Sequence, residues 1–160
     1  MEVEQAVNDW ITPLRADMVD SYISKGLKAS GKYERDLEFR SVVSNSKVNI
    51  TILGSDHTYY MENGRGPNKD QSPESIRAWV GWAGSTFLKK WVADKGLTTL
   101  SPYAVAWKIA RKGIEVPNTN NPGGVVTDVL NKEKIAELIE TVGAAYVDTM
   151  KLFFINRLKR

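Results

Sequence analysis

Residues able to do chemistry are few in this chain and widely spaced. The one histidine, His57, directly follows Asp56. An adjacent acid and imidazole suggest general-base chemistry, but a hydrolytic triad also needs a serine nucleophile and an oxyanion pocket. No G-x-S-x-G elbow or equivalent accompanies the pair. As a turn or strand residue His57 needs no further role. With one histidine and no cysteine, two-histidine sites, thiolate nucleophiles, disulfides and the usual structural zinc sites are excluded. Glu133, Glu137 and Glu140 lie along one side of a helical segment with Lys132 and Lys134 beside them. That is the pattern of a solvated helix face rather than of converging metal ligands.

The stretch Gly64-Arg65-Gly66-Pro67-Asn68-Lys69 has the look of a phosphate cradle but lacks the G-x-x-x-x-G-K-[ST] spacing. Pro67 also deletes a backbone donor that a cradle would use. A flexible turn that touches a partner is the sharper reading, with Arg65, between two glycines, free to reach across an interface. Basic residues Lys89, Lys90, Lys108, Arg111, Lys112, Arg157, Lys159 and Arg160 are scattered, and no helix-turn-helix or zinc module accompanies them, so solvated helix surface is the simpler account. Five tryptophans are many for this length. Core packing is their default use, and Trp82, off the stripe of its neighbours, suits a subunit contact.

The elements that must position these residues follow from periodicity. Val7, Trp10, Ile11, Leu14, Met18 and Tyr22 recur at helical steps over residues 3–27. Pro13 either kinks that helix or begins a new one capped by Thr12. Leu37, Phe39 and Ser41, then Val48, Ile50 and Ile52, alternate with polar neighbours around Asn45-Ser46, which predicts an antiparallel hairpin. His57–Met61 is predicted as a third strand. Ser72 followed by Pro73 and Glu74 starts a helix carrying Ile76, Trp79, Val80 and Ala83. Phe87, Leu88, Trp91 and Val92 form a short amphipathic segment ending near Gly96. Ser101-Pro102 starts another helix, with Tyr103, Ala106, Trp107 and Ala110 on its stripe and Gly113 as its stop. Val105 and Ile109 lie off that stripe, so this helix is predicted to be enclosed on several sides. PNTNNPGG, residues 117–124, reads as a mobile polar loop. Asn131 caps a final helix, where Ile135, Leu138, Ile139, Val142, Tyr146, Met150, Phe153, Phe154 and Leu158 hold one stripe over roughly 40 Å.

At 160 residues, with 42% apolar and 26% charged residues, the chain is expected to be one domain, residues 1–160, with its own core. No window approaches the ~18 apolar residues of a membrane span, and the acidic N-terminus is unlike a signal peptide. The expectation is a soluble protein made in the cytoplasm. A net charge of +3 permits an anionic partner without arguing for one.

Three motifs taken together resemble a known family. They are Tyr59, Tyr60, Glu62, Gly64, Arg65, Gly66 and Pro67; then Ile76, Trp79 and Val80; then Ala106, Ile109, Arg111, Gly113 and Ile114. In this order, between a long first helix and a long last one, they resemble the head–tail connector or tail-completion (neck) proteins of tailed bacteriophages. The resemblance implies an α+β fold: a short curved antiparallel sheet of three or four strands packed on an N-terminal helix, central short helices and a long C-terminal helix. It also implies a virion protein, assembled in the host cytoplasm, that forms a ring of six- or twelve-fold symmetry between portal and tail around the genome channel. Its partners would be copies of itself, portal or adaptor proteins and tail proteins, with non-specific contact to genomic DNA allowed. No enzymatic activity, cofactor, metal, membrane or small-molecule substrate is implied. Subunit contacts are expected at Tyr60, Glu62, Arg65, Lys69, Trp82, Asn118, Asn120, Asn121, Arg157 and Arg160. Two alternatives compete: a nucleic-acid-binding accessory protein using the basic tail Arg157, Lys159 and Arg160, and a small hydrolase built on His57.

Overall fold

The computed structural model describes residues 2–81 and 88–158. Among them the chain forms α1 (Val3–Ser24), α2 (Lys32–Asp36), β1 (Glu38–Val43), β2 (Val48–Leu53), α3 (His57–Asn63), α4 (Pro73–Val80), α5 (Leu88–Asp94), α6 (Pro102–Lys112) and α7 (Lys132–Leu158). This is an α+β architecture with one two-stranded antiparallel sheet among the described residues.

The first helix runs unbroken through Pro13. Thr12 Oγ1 donates to the Asn8 carbonyl at 2.9 Å, one turn back along the same helix. Its buried face, Val3, Ala6, Val7, Trp10, Leu14, Met18 and Tyr22, is the stripe expected from spacing, extended by one turn at the N-terminus. The hairpin also forms as its alternation requires: Phe39 pairs with Ile52, Ser41 with Ile50 and Val43 with Val48. These residues share one face, which packs toward α1, while Arg40, Val42, Asn49 and Thr51 face solvent.

The expected third strand is instead α3. The Gly64 amide donates to the Tyr60 carbonyl at 2.9 Å and Asn63 Nδ2 to the Tyr59 carbonyl at 3.2 Å, so the segment coils rather than extends. Strand preference for Thr and Tyr is a weak prior that local packing overrides. The helix ends at Gly64, with φ 72°, a stop signal for a helix rather than for a strand.

Both serine–proline starts are real caps: Ser72 Oγ accepts from the Ser75 amide at 3.2 Å and Ser101 Oγ from the Ala104 amide at 3.4 Å. Asn131 Oδ1 likewise accepts from the Lys134 amide at 2.9 Å at the start of α7. The apolar residues fall into three clusters. Met18, Tyr22, Tyr33, Leu37 and Val125 form one, with Tyr22 and Tyr33 stacked at 4.4 Å. Val3, Ala6, Val7 and Ala145 join α1 to α7. Ile76, Ala106 and Ala110 join α4 to α6, with Trp79, Val80 and Leu88 against them.

Two expectations about the aromatics need correction. The sixth helix is not enclosed: its buried positions are Ala106 and Ala110, whereas Tyr103 and Trp107 stand out at 39% and 44% exposure. Core packing holds fully for Trp10 alone among the described tryptophans; Trp79 is half-buried, and Trp91 and Trp107 are exposed. The small side chains of Ala106 and Ala110 let α4 approach closely, which turns the large rings outward. Trp82, Ala83 and Phe87 lie outside the described residues, as do Lys159 and Arg160.

Candidate functional site

The three motifs meet in space. The third helix ends at Gly64 and the sixth at Gly113, with φ, ψ of 72°, −165° and 74°, −162°. From these matched ends the two chains run together in an antiparallel bridge: Arg65 N donates to Ile114 O at 2.8 Å, and Ile114 N to Arg65 O at 2.7 Å. The Asn68 amide adds a bond to the Ala110 carbonyl at 2.8 Å, satisfying an acceptor that the end of α6 leaves open. A Cβ on Gly64 would lie 2.2 Å from Ile114 O, and one on Gly113 would lie 2.2 Å from Arg65 O. The clasp therefore requires glycine twice, for conformation and for space.

Arg65 is held inside this clasp. Its guanidinium sits 4.6 Å from the centre of the Trp79 ring and 6.0 Å from that of Tyr60, and it donates to Asn68 Oδ1. The expectation of a freely reaching arginine is thus corrected: a planar cation between aromatic faces is fixed by stacking and a directed hydrogen bond. Glu62 also points inward. Its carboxylate accepts from the amides of Val126 at 3.2 Å and Thr127 at 3.1 Å and from the Thr127 hydroxyl. Burial pushes this carboxyl up, but the hydrogen bonds from Thr127 and from the backbone of residues 125–127 outweigh it, so Glu62 titrates below the usual glutamate range.

The loop 117–124 is pinned rather than mobile. Asn118 Oδ1 accepts from the amides of Asn120 and Asn121 at 2.8 and 2.9 Å, and Asn121 Nδ2 donates to Met61 O at 2.9 Å. The loop's anchor is a set of asparagine side chains that replace backbone turns. Tyr60, Lys69, Asn118 and Asn120 remain on the surface, whereas Glu62, Arg65 and Asn121 are engaged within the subunit. Tyr59, Tyr60, Arg65 and Pro67 line an open groove above the clasp with Ile114 and Val116.

His57 meets the serine two residues before it: Ser55 Oγ lies 3.1 Å from His57 Nε2. Burial, and then the charge of Lys32, hold the imidazole below its ordinary pKa. Ser55 itself is buried at 7% exposure. Neither that groove nor the one lined by Ile11, Arg15, Leu37 and Phe39 includes either residue. Attack on a substrate would need the hydroxyl to be accessible. Among the described residues no group of three or more His, Asp or Glu converges as metal ligands would, and no helix is long and apolar enough to cross a membrane.

The second feature is the far half of α7. Trp10 Nε1 donates to Lys134 O at 3.2 Å, while Val3 packs with Ala145, so α1 and α7 run antiparallel and α1 begins opposite Ala145. Tyr146 Oη, donating to Ser44 O at 2.6 Å, ties the same level of α7 to the hairpin turn. Residues 147–158 continue past both, for roughly 18 Å. The sequence predicts one apolar stripe along the whole helix, longer than a domain of this size needs for its own core; in the structure the burial of α7 ends near Tyr146. Beyond it Val147, Met150, Leu152, Phe153, Phe154, Ile155 and Leu158 are between 47% and 86% exposed. Arg157, also exposed, lies 5.7 Å from the Phe153 ring centre. A helix apolar on most of its circumference normally has neighbours on several sides.

Comparison with protein-family models, curated proteins and solved structures finds no match to this chain.

Proposed function

We propose that this chain is a structural subunit that associates with copies of itself in a closed ring, in the neck of a tailed-bacteriophage virion between portal and tail. The observation that carries the assembly reading is the apolar half of α7 standing clear of its own subunit. An exposed apolar surface of this extent marks a site of association. The motifs that resemble neck proteins supply the place of assembly. In this reading the Gly64–Gly113 clasp is the rigid frame, and Tyr60, Lys69, Asn118, Asn120 and Arg157 are the accessible residues that neighbours would meet. Glu62, Arg65 and Asn121 act indirectly, by fixing the loops that carry those residues. Portal or adaptor proteins and tail proteins would close the two ends of the ring, and the reading assigns the chain no bond-making step.

Light scattering on the full chain, alone and mixed with portal and tail components, tests this. The expected result is a discrete oligomer of fixed mass in at least one of the two conditions. A monomer in both contradicts it. Binding to duplex DNA that falls steeply with salt and vanishes when Arg157, Lys159 and Arg160 are neutralised would favour the nucleic-acid reading instead.

A further inference from the structure

The exposed apolar face of α7 does not begin at the overhang. Ile135 and Ile139, in the half of the helix that packs on α1, are themselves 43% and 68% exposed. At three- and four-residue steps they line up with Gly143, Val147, Met150 and Phe154, a seam on the side of α7 turned away from Ala145. Gly143 is exposed, and no atom lies within 4 Å of where its Cβ would stand. Glycine destabilises a helix interior relative to alanine, and nothing described within this chain requires it there. A second backbone passing close to the helix would.

The two halves of the seam differ in charge. Residues 132–143 carry Glu133, Glu137 and Glu140 against Lys132 and Lys134, whereas residues 147–158 carry Lys151 and Arg157 against Asp148. Glu137, Glu140, Lys151 and Arg157 are all exposed. On the overhang's part of this seam Val147, Met150 and Phe154 are 51%, 58% and 57% exposed, an apolar surface of the kind that marks an interface. It is too apolar for phosphate to be its main partner.

We propose that residues 147–158 of one copy seat on residues 132–143 of α7 in a second copy. The apolar seams meet across Gly143, and the basic rim of the overhang lies against the acidic rim of the receiving half. This deepens the assembly reading, resting on it only in taking the occupant to be this same chain.

The test is a charge reversal and its rescue, read by sedimentation velocity on full chains whose helicity matches the original. One variant carries Glu137→Lys and Glu140→Lys; the other carries Lys151→Glu and Arg157→Glu. Each alone is expected to self-associate at least tenfold more weakly than the original chain, because like charges then face each other. An equimolar mixture is expected to regain association, since each variant's overhang then complements the other's receiving half. A regained complex of two copies supports this docking and contradicts the ring; a larger closed complex supports both. If the original chain associates and neither reversal weakens it, the docking is overturned while the assembly reading stands. A mixture that stays as weak as its parts also overturns it. If the original chain stays monomeric at every concentration reached, no second copy occupies the seam and the docking is overturned.

Discussion

Gly64 and Gly113 are reciprocal: each ends a helix at positive φ, and a methyl group on either would collide with a carbonyl oxygen just beyond the other, Ile114 O or Arg65 O, at 2.2 Å. Between them the Arg65–Ile114 bridge joins two segments distant in sequence. The frame of the candidate site thus depends on two residues that have no side chain.

Replacing either glycine by alanine combines a strained backbone with a clash against main chain, which cannot swing aside. Each single variant is expected to lose about 1–3 kcal/mol in urea unfolding. The double variant is expected to lose less than the sum, because the first substitution already opens the shared bridge. Additive losses would show that the two glycines act separately.

Arg65 should resist replacement by lysine. An ammonium keeps the charge but loses the planar stack on Trp79 and the directed bond to Asn68. Arg65→Lys is expected to cost about 1 kcal/mol, and a double-mutant cycle with Trp79→Leu to give a coupling of roughly 0.5–1 kcal/mol. A coupling near zero would return Arg65 to the role of a free surface residue.

Glu62 makes stability depend on pH. Its folded-state pKa lies below the ordinary value, so the unfolded chain binds the proton more readily. The contribution is therefore complete above the unfolded glutamate pKa of about 4.3 and is lost as pH falls through the lower folded value. Unfolding measured across this acid range should show a steeper loss for the original chain than for Glu62→Gln, which has no carboxylate to protonate. Parallel curves would mean that the Glu62–Thr127 contacts do not favour the charged form.

Much of this was legible from the residues. Ser72, Ser101 and Asn131 announced their helices because a cap is a local event, and the hairpin followed from alternation around Asn45-Ser46. The expected third strand is a helix because Thr58, Tyr59 and Tyr60 favour strands only weakly, while Gly64, at positive φ, stops a helix just beyond the segment. The clasp was not legible: Gly64 and Gly113 each look like ordinary helix stops until the fold sets them side by side. The inward turn of Glu62 and Arg65 was hidden for the same reason, since Thr127 and Trp79 are distant in sequence. The length of α7 was plain from its pattern. Where its burial stops was not, because that depends on where α1 and the hairpin end against it.

The central claim is that the projecting half of α7 exists to be covered by another chain. Sedimentation of the original chain beside a Phe153→Ser, Phe154→Ser variant over a wide concentration range, with unfolding followed in parallel, tests it most directly. The account predicts that the variant keeps its folding stability, because both rings are more than half exposed in the subunit, yet loses the oligomer. A variant that unfolds more easily at low concentration, or that assembles as well as the original, would contradict it.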